Sequence, residues 1–118
     1  MSAPPGDLEA AREALERAVA DAQARRKNVL DPVLKEQIGE EIWRLRRKVV
    51  GLERERAGRM LARASREASE AAASGDLARY EGAHREMARH RIAFADASDL
   101  LEKLEEEGPS SSRRLLGG

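Results

Sequence analysis

The chain has 118 residues, of which 37% are charged and 3% are aromatic, and its formal net charge is zero. This length allows one small domain. Alanines make up a large share of the 41% hydrophobic fraction, and abundant Ala, Glu, Arg and Leu are typical of long or coiled-coil helices, which argues against a β-sandwich or barrel. The sequence has no cysteine, which excludes disulfides, thiol nucleophiles and cysteine zinc sites.

The first ten residues, MSAPPGDLEA, do not resemble a secretory signal, because they lack a cationic start and an apolar stretch. The sequence also contains no run of about 18 apolar residues, the length that a membrane-spanning helix needs. We therefore expect a cytoplasmic protein that makes no membrane contact.

Turn-forming and capping residues predict where the first two helices begin. Residues 1–6 contain two prolines and a glycine and are expected to form a disordered lead. Asp7 is suited to cap a first helix over about 7–27. Pro32 fits the first turn of a second helix, which we expect to continue over 32–73.

A Ser-Gly-Asp turn predicts the boundary before the third helix. Gly75 is suited to a left-handed C-cap and Asp76 to the N-cap of a helix over 77–107. Gly108 and Pro109 should end that helix. The sequence thus predicts one helical domain over 7–107 and a flexible tail over 108–118.

Apolar residues recur at heptad spacing in both long helices, which indicates helix-on-helix packing. In the second helix the predicted seam steps by 4, 3, 4, 3 and re-phases near Gly58: Ile38, Ile42, Leu45, Val49, Leu52, then Met60, Ala64 and Ala68. In the third helix it steps by 3, 4, 3, 4, 3, 4, 3: Leu77, Tyr80, His84, Met87, Arg91, Phe94, Ser98 and Leu101. A second apolar edge follows Ala88, Ile92 and Ala95. The predicted fold is all-α, an antiparallel helical hairpin or coiled coil, with the shorter first helix forming a three-helix bundle at one end.

Charge is segregated along the chain, with +7 over residues 43–66 and −5 over residues 96–107. An antiparallel arrangement centred on Gly75 sets residue 96 beside residue 54 and residue 107 beside residue 43. The acidic block should therefore neutralise the stretch from Arg44 to Arg56. Three arginines nearer the turn lack such partners and are candidate nucleic-acid contacts: Arg59, Arg63 and Arg66. Because no aromatic residues flank them, such binding would be independent of base sequence.

The first helix is long enough to cover only about residues 33–52 of the second helix. The remainder, Glu55 to Ala73 against Leu77 to Ile92, would project as a two-helix arm. Four side chains on the arm would be incompletely covered: Met60, Leu61, Tyr80 and Met87. Long two-helix ribbons are marginal alone, so we expect the arm to pair with a second copy of the chain.

One short motif suggests metal chemistry. Glu81-x-x-His84 places a carboxylate and an imidazole on one helical face, and these four residues resemble the motif of ferritin-like di-iron proteins. The resemblance implies a half-bundle that would complete a metal site by dimerisation. Glu67 and Glu70 would lie at similar levels of the second helix.

Arg79 and Arg85 flank this motif and oppose a bound cation. We therefore expect no tightly bound metal and no cofactor, and keep Glu81 and His84 as candidate ligands. For His84 the competing interpretation is a polar residue that sets the register of the helix seam.

The tail ends in a dibasic pair followed by two leucines, a pattern typical of short docking peptides: Arg113, Arg114, Leu115 and Leu116. No Ser-His-Asp set, phosphate-binding loop, dinucleotide fingerprint or H-E-x-x-H motif occurs, so no enzymatic activity is expected.

These observations favour a non-catalytic helical protein-protein interaction module, an adaptor, scaffold or assembly component that self-associates through its arm into a homo-oligomer. The first alternative is a sequence-nonspecific nucleic-acid-binding protein. The second is a ferritin-like half-bundle metal protein completed by dimerisation.

Overall fold

The computed structural model describes residues 5–25 and 31–109, and three α-helices account for nearly all of them. Helix α1 spans Pro5–Arg25, α2 spans Pro32–Ser74 and α3 spans Leu77–Glu107. These described ranges contain no strand, which confirms the all-α prediction. The molecule measures 66 × 26 × 23 Å, and its long axis matches α2, whose 43 residues extend about 64 Å.

The first helix begins earlier than the sequence predicts. Pro5 and Gly6 belong to α1, so the expected disordered lead is wrong at these two positions, and residues 1–4 lie outside the described ranges. Asp7 lies in the first turn of α1 instead of capping it. Proline is compatible with a first turn, whose amides have no intrahelical acceptor, and an aspartate there interacts favourably with the helix dipole.

Capping side chains fix the ends of α2 and α3 as the sequence indicates. Asp31 has an extended backbone, and its carboxylate accepts a hydrogen bond of 2.9 Å from the Val33 amide. Gly75 closes α2 with a left-handed backbone at φ 74°. Asp76 caps α3 by accepting a hydrogen bond of 3.1 Å from the Arg79 amide. The predicted boundary at Gly75 and Asp76 is confirmed.

Helix α1 packs on the first half of α2. Leu8 and Ala11 bury Val49, and nearer the other end of α1, Ala22 packs against the fully buried Ile42. Arg12 adds an ion pair of 3.2 Å with Glu53. In the part of the chain that is described, these contacts between α1 and α2 lie between Ile38 and Glu53.

Helix α3 packs antiparallel along α2. At the end of α2 and α3 away from their connecting turn, Val50, Ala97 and Leu104 form a buried cluster. There the Trp43 indole N–H donates a hydrogen bond of 2.8 Å to the carbonyl of Leu104. We call this end, where α1 also packs, the base of the molecule. Arg47 stacks over the Trp43 ring.

The antiparallel contacts between α2 and α3 continue from the base toward the turn at Gly75. The Phe94 ring packs against Gly58, where an added Cβ would lie 3.4 Å from the ring carbon Cε2. Arg54 covers the same ring from 5.0 Å. Near the turn, Arg79 pairs with Glu67. Glycine at position 58 thus lets an aromatic ring lie directly on α2.

The structure corrects the predicted seam of α3. Leu77, Tyr80, His84 and Arg91, which we expected to face α2, are exposed. The residues of a different heptad, with steps of 4, 3, 4, 3, 4, 3, are all buried or half-buried: Ala83, Met87, His90, Phe94, Ala97, Leu101 and Leu104. Ser98 of the predicted seam is also half-buried. Both heptads contain Met87, Phe94 and Leu101, which form one line along α3. They differ in whether the residues on one side or the other side of this line face α2.

Small residues on α2 explain this rotation. The face of α2 toward the turn buries four alanines: Ala57, Ala64, Ala68 and Ala71. Alanines allow the helices to approach closely, and a close approach is filled better by Ala83 than by Tyr80. His90, which the predicted seam did not include, has a side chain only 16% exposed. The predicted rotation of α3 about its axis was wrong because it was based on the size of the apolar side chains and not on how well they fit against α2.

The Trp43 hydrogen bond generates a test of the base. Trp43→Phe removes the donor but keeps an aromatic ring, and we expect it to lower the free energy of unfolding by about 0.5–1.5 kcal/mol. The low end is favoured because the Leu104 carbonyl also accepts a bond from the Gly108 amide. Urea unfolding followed by circular dichroism measures the loss, and an unchanged midpoint would show that this bond contributes nothing.

Candidate interaction surfaces

The arm consists of α2 residues 55–73 and α3 residues 77–92, beyond the described contacts that α1 makes with α2. Its interior is made mostly of alanines, including Ala64, Ala68 and Ala83. These side chains bury little area per residue. The two sides of the arm differ in chemistry.

One side carries a charged groove of about 690 Å³ between α2 and α3, which we call the ion-paired groove. Met60, Ala64 and Ala83 contribute apolar surface to it, with charged residues beside them. Toward the base it continues into a second groove of about 390 Å³, to which all three helices contribute. Met60 and His90 line both grooves.

Arg79 is the centre of the charge network in the ion-paired groove. Its guanidinium donates from Nε and Nη2 to the two carboxylate oxygens of Glu67, and it also pairs with Glu70 at 3.2 Å. The hydrogen bond from Arg79 holds the pKa of Glu67 below its usual value. The same bond raises the pKa of Arg79. Further along, Glu86 pairs with His90 at 3.3 Å.

This network occupies the carboxylates that a metal site would need. Glu67 and Glu70, expected beside Glu81 and His84, are instead held by Arg79. Glu81 and His84 are exposed, and the His84 ring lies 5.9 Å from that of Tyr80. Within residues 5–25 and 31–109, no group of three or more metal-ligating side chains is brought together.

The arginines proposed for nucleic acid are exposed on α2. Arg59, Arg63 and Arg66 make no ion pair with any residue in the described part of the chain. Nearer the base, Arg47 pairs with Glu105 of α3 at 3.1 Å.

Among the ion pairs of the described residues, only Arg47 thus shows the neutralisation that we expected for the whole stretch from Arg44 to Arg56. Arg44 departs from that expectation, because it pairs at 3.4 Å with Glu40 in its own helix. A glutamate at i−4 is a nearer partner for an exposed arginine than a carboxylate on another helix.

The four predicted self-association residues do not lie on one surface. Met60 lines the ion-paired groove. Leu61 and Met87 are half-buried and Tyr80 is 37% exposed, and none of these three lines either of the grooves just described.

The outer face of α3 is the second surface, defined by eight exposed residues. They are Leu77, Tyr80, Glu81, His84, Ala88, Arg91, Ile92 and Ala95. Leu77 is 69% exposed and Ile92 63%. The sequence signalled part of this face through the apolar edge at Ala88, Ile92 and Ala95, but Leu77 was wrongly assigned to the seam with α2.

The candidate docking peptide, with Arg113, Arg114, Leu115 and Leu116, lies outside the described residues and stays a prediction. None of the three described helices contains a stretch long and apolar enough to cross a membrane. Comparison of the chain with protein-family models, curated proteins and solved structures finds no match. Functional inference therefore rests on the geometry of the two surfaces.

The Arg79–Glu67 pair generates a pH-dependent test. Because the folded state lowers the pKa of Glu67, the pair stabilises the fold above the unfolded carboxyl pKa, and the benefit is lost as pH falls through the folded pKa. Glu67→Gln should therefore lower the melting temperature at pH 7, and its effect should disappear as the pH falls below the folded pKa of Glu67. The shift should be small since both side chains are partly exposed. Glu55→Gln, at an exposed site without an ion pair in the described structure, is the control. Equal shifts for both variants would contradict a role for the pair.

Proposed function

We propose that this protein is a non-catalytic helical interaction module that self-associates through its arm and serves as an adaptor, scaffold or assembly component. The observation that carries the proposal is the exposure of Leu77, Tyr80 and Ile92 on α3, in the part of the molecule where no described third helix covers them. Such exposed apolar residues on a helical face are typical of protein contact sites.

The arm's architecture supports the same function. The inward heptad of α3 and the antiparallel contacts with α2 favour a coiled-coil hairpin, although its alanine interior supplies little burial. Burying a side chain such as Ile92 against another copy would contribute about 1.5–3 kcal/mol. Association therefore adds apolar burial that the arm cannot obtain from its own two helices.

Concentration-dependent mass tests the proposal. We expect the chain to be monomeric at a few micromolar and to associate at hundreds of micromolar in sedimentation equilibrium. Ile92→Ser should weaken the association at least tenfold. Val33→Ser is a matched control, because Val33 is also β-branched and 61% exposed but lies at the first turn of α2. A monomer at every concentration, or equal effects of both variants, would contradict the proposal.

A specific observation also favours a second function, sequence-nonspecific nucleic-acid binding. Arg59, Arg63 and Arg66 are exposed within about 11 Å of helix axis and have no ion-pair partner among the described residues. Unpaired arginines at such spacing can contact phosphates and release counterions. Arg44 and Arg47 are already paired, so we assign any phosphate contact to the first three.

Neutralising these three arginines tests the second function. The variant Arg59→Gln, Arg63→Gln, Arg66→Gln should lose at least tenfold in affinity for a short DNA duplex at low salt, with a shallower salt dependence. The matched control Arg44→Gln, Arg47→Gln, Lys48→Gln removes the same charge from the same helix. A larger loss in the control would place the contact at the base, and absence of wild-type binding would exclude this function.

A further inference from the structure

The outer face of α3 has the same spacing of residues in both directions along the helix, so two copies of it can match in an antiparallel arrangement. Its eight residues are placed symmetrically about position 86. Each position on one side has a counterpart at the same distance on the other side, and Glu81 with Arg91 is a pair of opposite charge. The pairs are Leu77 with Ala95, Tyr80 with Ile92, Glu81 with Arg91, and His84 with Ala88.

The charged pair in this pattern has no partner elsewhere. Glu81 and Arg91 are exposed, and neither makes an ion pair with another residue in the described ranges. By contrast, Glu67, Glu86 and Arg79 on the ion-paired groove are all paired within the chain. The paired charges of the arm therefore lie on the groove side, although Arg63 and Arg85 also line the groove and make no ion pair with a described residue.

We infer that the outer face binds the same face of a second copy, with the two α3 helices antiparallel and a two-fold axis at the level of residue 86. This inference rests on the proposed self-association and names its surface and orientation. Glu81 of each copy then lies beside Arg91 of the other. Leu77 packs on Ala95 once on each side of the axis, whereas Tyr80 and Ile92 border opposite flanks of the contact.

Other arrangements of the same face bring like charges together. Parallel packing in register sets Glu81 beside Glu81 and Arg91 beside Arg91, which is repulsive. An antiparallel slip by one heptad in either direction separates both ion pairs. Charge therefore favours the register centred on residue 86.

The size of the contact predicts a weak dimer. Residues 77–95 extend about 27 Å along the helix, and a helix of about 10–12 Å diameter offers roughly 300 Å² of contact per copy over that length. This is below the standard interface of about 800 Å² per partner, so the dimer is expected to be weak. A weak contact suits a module that acts in several copies.

Charge exchange tests the pairing. Glu81→Arg and Arg91→Glu should each weaken dimerisation at least tenfold, because each sets two like-charged pairs across the axis. The double variant Glu81→Arg, Arg91→Glu restores both pairs and should return dimerisation to within about threefold of wild type. Lys103→Glu, an exposed charge reversal on α3 outside the face, should have no effect. Circular dichroism of each variant checks that α3 remains folded.

Cysteine cross-linking tests the orientation, since the chain has no cysteine of its own. A mixture of Leu77→Cys and Ala95→Cys chains, distinguished by mass, should form the mixed 77–95 disulfide. In the antiparallel dimer, two copies of residue 77 lie about 27 Å apart, so 77–77 disulfides should be absent.

The outcomes separate this inference from the proposed function. Loss in both single variants with recovery in the double supports it. Dimerisation that is unaffected by the single variants, or disulfides between identical positions, would contradict the assignment of the outer face as the dimer contact. Neither result would contradict self-association itself. A wild-type chain that is monomeric at every concentration would overturn both.

Discussion

The close packing of alanines between α2 and α3 determines the orientation of the rest of the arm. Ala64 and Ala68 on α2 and Ala83 on α3 are nearly fully buried, and small side chains of this kind allow two helices to approach closely. This fit rotates α3 so that its small residues face inward. Tyr80 and Ile92, the larger side chains of the same helix, are consequently directed away from α2.

This rotation also separates the charges of the arm into two groups. Arg79 reaches across to Glu67 because both lie on the side of the groove, and Glu86 meets His90 there by helical spacing. Glu81 and Arg91 lie ten residues apart on the opposite side, too far along the helix to meet within one chain. A zero net charge therefore does not mean that all charges are paired inside the molecule.

Sequence reasoning predicted the features that depend on local chemistry. The left-handed Gly75 and the cap formed by Asp76 were both recognisable, since few residues perform these roles. The antiparallel contact of Arg47 with Glu105 followed from charge blocks at equal distances from that turn.

The phase of α3 could not be derived in the same way. Met87, Phe94 and Leu101 belong to two heptads at once, one continued by Tyr80 and the other by Ala83. The spacing of apolar residues shows that α3 has a heptad repeat. It does not show which residues beside Met87, Phe94 and Leu101 face inward, because that depends on the surface of α2. Apolar periodicity gives more weight to a large side chain such as Tyr80. Packing against α2 instead favours the side chain that fits the available space, here Ala83. For the same reason, Leu77 on the outer face was placed in the wrong surface.

The difference in length between α1 and α2 separates stability from recognition. α1 has 21 residues and α2 has 43, so α1 accompanies α2 over about half its length. Over that half, Ile42 and Val49 are buried under α1, and larger apolar side chains make the base the better packed end. The outer face of the arm contributes almost nothing to this core. Its residues can therefore be exchanged to alter association while the base keeps the monomer folded, which is the separation that the charge-exchange variants require.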